Sequence, residues 1–238
     1  MQTFVIPDIH LKSWMFQKTE EIIQKEKPDK IVCLMDIPDD WQCQFALDLY
    51  EEAFDAAISF AKNHPETLWC WGNHDLCYMW GFTETGHSHV AASIVRRKLA
   101  ELQNTLLDSS HIKYVHRIEN TVFSHGGLSQ YFVEKYIPDE MQTDIDVTLD
   151  RLNGLKAREM WTDASPIWFR PQYGAEVWRP DVIQVVGHTP MRKITKHGNV
   201  ISCDVFSTQS DHTPFGTEEF LLVNTETGEF RGIPSGIQ

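Results

Sequence analysis

The chain has 238 residues, of which 42% are hydrophobic and 23% charged, and its formal net charge is -13 at neutral pH. That length and balance suit one large α/β domain with a buried core and exclude a disordered chain. The acid excess disfavours long nucleic acids, which meet basic surfaces, and no apolar run is long enough to span a bilayer.

The first residues, Met1-Gln2-Thr3-Phe4-Val5-Ile6-Pro7-Asp8, lack a basic segment followed by a long apolar one, so no secretory signal is expected. A cytoplasmic location follows as the expectation. The cysteines (Cys33, Cys43, Cys70, Cys77, Cys203) are odd in number and none has CxxC spacing. Cys33, Cys70 and Cys203 lie inside apolar runs and read as packed thiols of a reducing compartment.

In chain order, residues 3–7 form an apolar run that predicts a buried strand, with Asp8-Ile9-His10 directly after it. A surface helix is expected over 12–26, closed by Pro28-Asp29. Residues 30–35 predict a second buried strand with Asp36 at its end. The strand–helix–strand order favours parallel pairing. A long helix is expected over 42–63, with Pro65 beyond it. The strand at 67–71 then opens into Gly72-Asn73-His74-Asp75.

Residues 76–110 read as mostly helical, interrupted by Gly86-His87-Ser88-His89. Residues 112–118 and 120–124 read as a strand pair that runs into His125-Gly126-Gly127. A polar helical stretch over 129–160 is broken at Pro138. Residues 161–180, rich in Trp, Pro and Arg, predict a long ordered loop. The strand at 182–186 ends in Gly187-His188. Residues 199–205, 218–224 and 228–232 read as antiparallel strands, with Thr225–Gly228 as a hairpin turn. With no repeat and no linker, the expectation is one domain over 1–238.

Five clusters thus carry carboxylate, imidazole or amide groups just after apolar runs. In open α/β sheets, ligands bind at the carboxyl ends of strands. These donors suit hard or borderline divalent cations, and no cysteine is among them. Two cations sharing a carboxylate can clamp a phosphate and lower the pKa of a water. Asp36, alone at its strand end, is the natural bridge. A leaving alkoxide also needs a proton, which a histidine beside the metals can supply. His74 suits that role, with Asp39 to hold its other ring nitrogen.

The series Asp8-x-His10, Asp36-x-x-Asp39, Gly72-Asn73-His74-Asp75, His125-Gly126-Gly127-Leu128-Ser129 and Gly187-His188-Thr189-Pro190 resembles the calcineurin-like metallophosphoesterase superfamily over residues 8–190. Within it, the last two motifs are similar to the phosphoprotein-phosphatase branch, which includes bacterial Ser/Thr phosphatases and diadenosine tetraphosphate hydrolases. Pro190 stands where phosphodiesterases and nucleases of the superfamily usually carry a further histidine. The resemblance implies a four-layer αββα sandwich of two mixed β-sheets flanked by helices. It implies Asp8 and His10 on one metal, Asp36 bridging, Asn73, His125 and His188 on the second, and His74 as general acid oriented by Asp39. Mn²⁺ is the expected cation, and Fe and Zn also suit these ligands.

One departure stands out. The branch usually has an arginine after the second motif's last aspartate, and Asp40 occupies that position here. Arg170, in Ser165-Pro166-Ile167-Trp168-Phe169-Arg170, is the first candidate to bind phosphate oxygens in its place, and Arg179 the second.

The resulting expectation is hydrolysis of phosphomonoesters, protein phosphoserine or phosphothreonine included, by a hydroxide bound to two metals. The substrate classes are a small phosphorylated molecule, a nucleotide or a phosphoprotein. The first alternative is a dinucleoside polyphosphate hydrolase, with Trp168, Tyr173 or Trp178 to stack an adenine. The second is a non-catalytic scaffold, which all six retained ligand residues argue against. His87 and His89 are expected to be solvent-facing or near the pocket, Asp204 to support His188 or a turn, and His111 and His116 have no evident partner.

Overall fold

The computed structural model describes residues 1–236. Its elements in chain order are β1 (Gln2–Ile6), α1 (Trp14–Glu26), β2 (Lys30–Cys33), α2 (Leu47–Asn63), β3 (Leu68–Cys70), α3 (Asn73–Trp80) and α4 (Ala92–Thr105). There follow β4 (Ile112–Lys113), β5 (Val115–Ile118), β6 (Thr121–Ser124), α5 (Gln130–Tyr136), α6 (Ile145–Asn153) and α7 (Ala157–Met160). The last are β7 (Ile183–Val186), β8 (Thr195–His197), β9 (Val200–Ser202), β10 (Glu219–Asn224) and β11 (Phe230–Pro234).

Two mixed sheets result. The first runs β11-β10-β1-β2-β3-β4 and the second β5-β6-β7-β9-β8. In the first, β1 to β4 are parallel, while β10 and β11 join as an antiparallel hairpin on the far side of β1. In the second, β6, β7 and β9 are parallel and β5 and β8 close the edges antiparallel. The pleat sends alternate residues to opposite faces. Phe4 and Ile6 therefore pack on the helix side, whereas Val5 joins Val32, Cys70, Phe123, Val185 and Ile201 between the sheets. On α2, Tyr50, Ala53, Phe54, Ala57, Ile58 and Ala61 recur at helical spacing and are the buried face. The two-sheet, helix-flanked architecture read from the sequence is the one observed.

Three local readings need correction. The run 112–118 is not one strand. It divides at Tyr114, with β4 joining the first sheet and β5 the second. The Asn153 amide fixes this crossing: its Oδ1 accepts from the backbone N–H of Tyr114 and of Val115, both at 3.0 Å, and its Nδ2 donates to the Val115 carbonyl at 2.9 Å. The stretch 199–205 yields only β9, which runs parallel to β7 and antiparallel to β8, a strand too short and polar to stand out in the sequence. The helix expected from residue 42 begins at Leu47, because residues 41–46 form turns instead, with the Cys43 N–H bonded to the Asp40 carbonyl at 3.2 Å and the Ala46 N–H to that of Cys43 at 2.9 Å.

His116, which had no evident partner in the sequence, ties the sheets together. It sits on β5, is buried, and its Nε2 bonds the Trp69 carbonyl on β3 at 3.0 Å. Burial outweighs that bond and holds its pKa down at about 4. A group depressed in the folded state resists protonation there, while the unfolded chain takes the proton near 6.5. Stability is thus complete above pH 6.5 and is lost as pH falls towards 4, by about 3 kcal/mol for this group. Urea unfolding at pH 7 and pH 4.5 should show this loss, and the loss should shrink in His116→Asn.

Candidate active site

The carboxyl ends of β1, β2 and β3 meet those of β6 and β7 at one edge of the sandwich. The loops there are locked by backbone pairing. Ile9, His10 and Leu11 donate to the carbonyls of Met35, Asp36 and Ile37 at 3.1, 2.8 and 2.9 Å, so the β1 and β2 loops stay paired beyond their strands. Met35, Asp36, Asp39, His10 and His188 all take left-handed backbone conformations. Non-glycine residues there carry a conformational cost, which the surrounding bonds offset.

Asp75 is the main brace. Its carboxylate accepts from the N–H groups of Asp36 (2.9 Å), Ile37 (3.1 Å) and Gly72 (3.1 Å). One buried side chain thereby fixes the β2 loop against the β3 loop. Burial pushes its pKa up to about 7, the charge of Asp36 adds to this, and the backbone donors oppose it. Two glycines are required by close approach. A Cβ on Gly72 would lie 2.0 Å from Asp36 Oδ1, and one on Gly187 would lie 2.0 Å from Asp8 Oδ1.

Two groups of metal-ligating side chains result, each with its ligand atoms within 4.8 Å of one another: Asp8, His10 and Asp36, and Asp36, His125 and His188. Asp36 belongs to both. His125 Nε2 lies 3.3 Å from Asp36 Oδ2, 3.0 Å from Asn73 Oδ1 and 3.2 Å from His188 Nδ1. His10 Nε2 lies 3.8 Å from Asp36 Oδ2, while its Nδ1 is engaged by the Asp39 carbonyl at 2.8 Å. That leaves Nε2 free to ligate. The six ligand residues expected from the sequence are thus brought together from five strand ends.

The charges call for cations. Burial pushes Asp8 well above the usual carboxylate range, and Asp204 adds to this. Asp8 Oδ2 accepts from the His188 N–H at 2.8 Å, but Oδ1 is buried with no hydrogen-bond partner among the described residues. Burial would raise Asp36 as well, yet His125 and His74 outweigh it and hold that carboxylate well below its usual range. In return Asp36 and Asp8 lift His125 to about 10 against its burial. An orphaned carboxylate oxygen beside oxygen and nitrogen donors with too little positive charge is what a pair of divalent cations satisfies.

Against this cluster stands His74. Its N–H donates to Asp36 Oδ1 at 2.9 Å and its Nδ1 pairs with Asp39 Oδ2 at 2.9 Å. Asp36 and Asp39 raise its pKa to about 9, although burial pulls the other way. Asp39 is itself held by two buried phenols that the sequence did not single out: Tyr50 and Tyr78 both donate to Oδ1, at 2.9 and 2.5 Å. The spacing of Tyr78, four residues beyond His74 on α3, was the available signal.

A cleft of about 590 Å³ opens over these residues and is also lined by Asp40, Trp41, Glu84, Trp168, Arg170, Asp204, Ser207, Thr208 and Phe215. Asp40, in the place of the usual arginine, pairs with Lys12 at 3.2 Å and accepts from the Thr208 hydroxyl at 2.7 Å. It therefore builds the cleft wall. Arg170 lines the cleft, and its Nη1 donates to the His188 carbonyl at 3.0 Å. Arg179 does not reach it. That residue precedes β7 at the end opposite His188, and its guanidinium is spent on Asp181 at 2.7 and 2.9 Å. Asp204 lines the cleft and is held by the Ser207 hydroxyl at 2.9 and 3.0 Å.

A family model described as calcineurin-like phosphoesterase matches residues 1–220. The chain belongs to this family. As a calcineurin-like phosphoesterase it is a hydrolase of phosphate esters, in a family that uses divalent metals. No curated protein matches its sequence. Among solved structures, a cold-active protein-tyrosine phosphatase of a psychrophilic Shewanella is 16% identical with a TM-score of 0.56, over 98% of this chain and 80% of that one. A hypothetical protein of Pyrococcus horikoshii is 14% identical with a TM-score of 0.51, over 98% and 87%. Both likenesses concern the fold.

Removing the brace tests this account of the loops. Asp75→Ala leaves three buried N–H groups without their acceptor, at about 1–3 kcal/mol each. Denaturant unfolding should show a loss of at least about 3 kcal/mol, and calorimetric titration of the metal-free variant should show weakened binding of divalent cations.

Proposed function

We propose that this phosphoesterase hydrolyses phosphomonoesters with two divalent cations, Mn²⁺ foremost. Asp8 and His10 would hold the first, Asp36 both, and Asn73, His125 and His188 the second. The observation that carries this is the sharing of Asp36 between two ligand groups with the His74–Asp39 pair directly against them. When bound, the cations supply neutralisation of the phosphate and an acidified water.

The chain's own residues do the rest. Asp39, steadied by Tyr50 and Tyr78, keeps His74 Nδ1 occupied, so that Nε2 is the nitrogen that delivers a proton to the departing alkoxide oxygen. Arg170 binds the phosphate oxygens in place of the missing arginine. Pro190, where diesterases and nucleases of the superfamily carry a histidine, supports a monoester over a diester. The five free cysteines support a reducing, cytoplasmic setting.

The dinucleotide reading loses two of the three aromatic residues named for it. Trp178 is buried, Tyr173 is exposed and lies off the cleft lining, and only Trp168 of the three lines the cleft. A scaffold role is disfavoured by the retention of all six ligand residues.

Purified protein with Mn²⁺ should hydrolyse p-nitrophenyl phosphate, and a chelator should abolish turnover; inactivity with every divalent cation tried would refute the reading. His74→Asn should lower kcat by roughly 10²- to 10⁴-fold while bound Mn²⁺, measured by plasma mass spectrometry, stays the same. Arg170→Ala should lower kcat/KM by roughly ten- to a hundredfold. Arg179→Ala should leave it within a factor of about two, since surface changes away from a site act weakly.

A further inference from the structure

Beside the cleft, and outside both ligand groups, a thiol, an imidazole and a carboxylate converge. Cys77 Sγ lies 3.4 Å from His87 Nδ1. The ligand atoms of Asp39, Cys77 and His87 all lie within 4.8 Å of one another. Asp39 and Cys77 are buried and His87 is half-buried. The placement is built by two elements. Helix α3 carries Cys77 one turn beyond His74. The loop before α4 brings His87, whose ring stacks on Tyr78 at 4.1 Å and meets His89 edge-on at 5.0 Å. Neighbouring Thr85 and Gly86 line the cleft, so the group is next to an open path.

The donor chemistry separates this group from the other two. Those offer only oxygen and nitrogen, which suit Mn²⁺. Sulfur with imidazole and carboxylate suits Zn²⁺ in tetrahedral coordination, with a fourth position for water. We propose that Asp39, Cys77 and His87 form a third cation site, selective for Zn²⁺, and that filling it draws Asp39 away from His74 and arrests hydrolysis. On binding, the Cys77 S–H bond breaks, its proton leaves to solvent and a sulfur–zinc bond forms, with no change of oxidation state. The competition is set by Asp39. It already accepts from His74, Tyr50 and Tyr78. Both tyrosines occupy Oδ1 and His74 alone occupies Oδ2, so a cation bound through Oδ2 shares that oxygen with the imidazole and competes with it. The inhibitory half of the proposal rests on the His74–Asp39 role assigned above; the site itself does not.

Cobalt distinguishes the sites, because only a thiolate ligand gives Co²⁺ an intense near-ultraviolet charge-transfer band. Metal-free protein titrated with Co²⁺ should develop that band, and Zn²⁺ should bleach it. Cys43→Ser, which removes the half-buried thiol, should keep the band. Cys77→Ser should abolish it. His87→Gln should shift its midpoint to roughly tenfold higher Co²⁺ or beyond. No band in the unmodified chain, a band that survives Cys77→Ser, or an unmoved midpoint in His87→Gln would overturn the site. With the Mn²⁺-loaded enzyme and p-nitrophenyl phosphate, half-inhibition by Zn²⁺ should need roughly tenfold more Zn²⁺ in Cys77→Ser. Equal inhibition of both proteins overturns the inhibitory half. If the Mn²⁺-loaded enzyme turns over no substrate at all, the function reading fails, while the cobalt band still decides the site.

Discussion

Among the described residues five carboxylates, Asp8, Asp36, Asp39, Asp75 and Asp204, are buried around the site, and buried charge is tolerated only among donors or cations. Much of the local structure answers that constraint. Asp75 is satisfied by three backbone N–H groups, and Asp204 by the Ser207 hydroxyl. Asp36 takes the His74 N–H and the imidazole of His125, and Asp8 keeps one oxygen unanswered. The left-handed loop residues and the two glycines that admit carboxylate oxygens are consequences of the same packing.

The arrangement divides the site between two kinds of support. Sheet one supplies Asp8, His10, Asp36 and Asn73 from loops held together by backbone bonds. Sheet two brings His125 and His188 across to them, with His125 Nδ1 bonded to the Leu34 carbonyl of the first sheet at 3.1 Å. The cleft wall is a separate layer. Lys12, Asp40 and Thr208 link the β1 loop, the segment before α2 and the stretch after β9. Trp41 adds a bond from its indole to the Thr208 carbonyl at 3.0 Å. The loss of an arginine thus coincides with the gain of a wall.

The two-sheet fold and the convergence of Asp8, His10, Asp36, Asn73, His125 and His188 were legible in the sequence because strand ends mark themselves: an apolar run stops and Asp, Asn or His begins. The His74–Asp39 pair was legible from its motif. What escaped depends on contacts distant in sequence. Tyr50 and Tyr78 look like core residues until Asp39 is seen between them. The split at Tyr114 is decided by Asn153, which lies on a helix. Arg179 stood as the second candidate after Arg170 because composition does not reveal which end of β7 a residue occupies.

The pairing of β1 with β10 bears on how the chain is made. On a ribosome, β1 emerges early with Phe4, Val5 and Ile6 already apolar, and β2 soon covers one of its edges. The other edge is matched by residues 221–224, far later in the chain. Until β10 has been made, the nascent chain therefore presents an open apolar strand edge, a template for pairing with a neighbouring chain. That edge is closed when the β10–β11 hairpin pairs with β1.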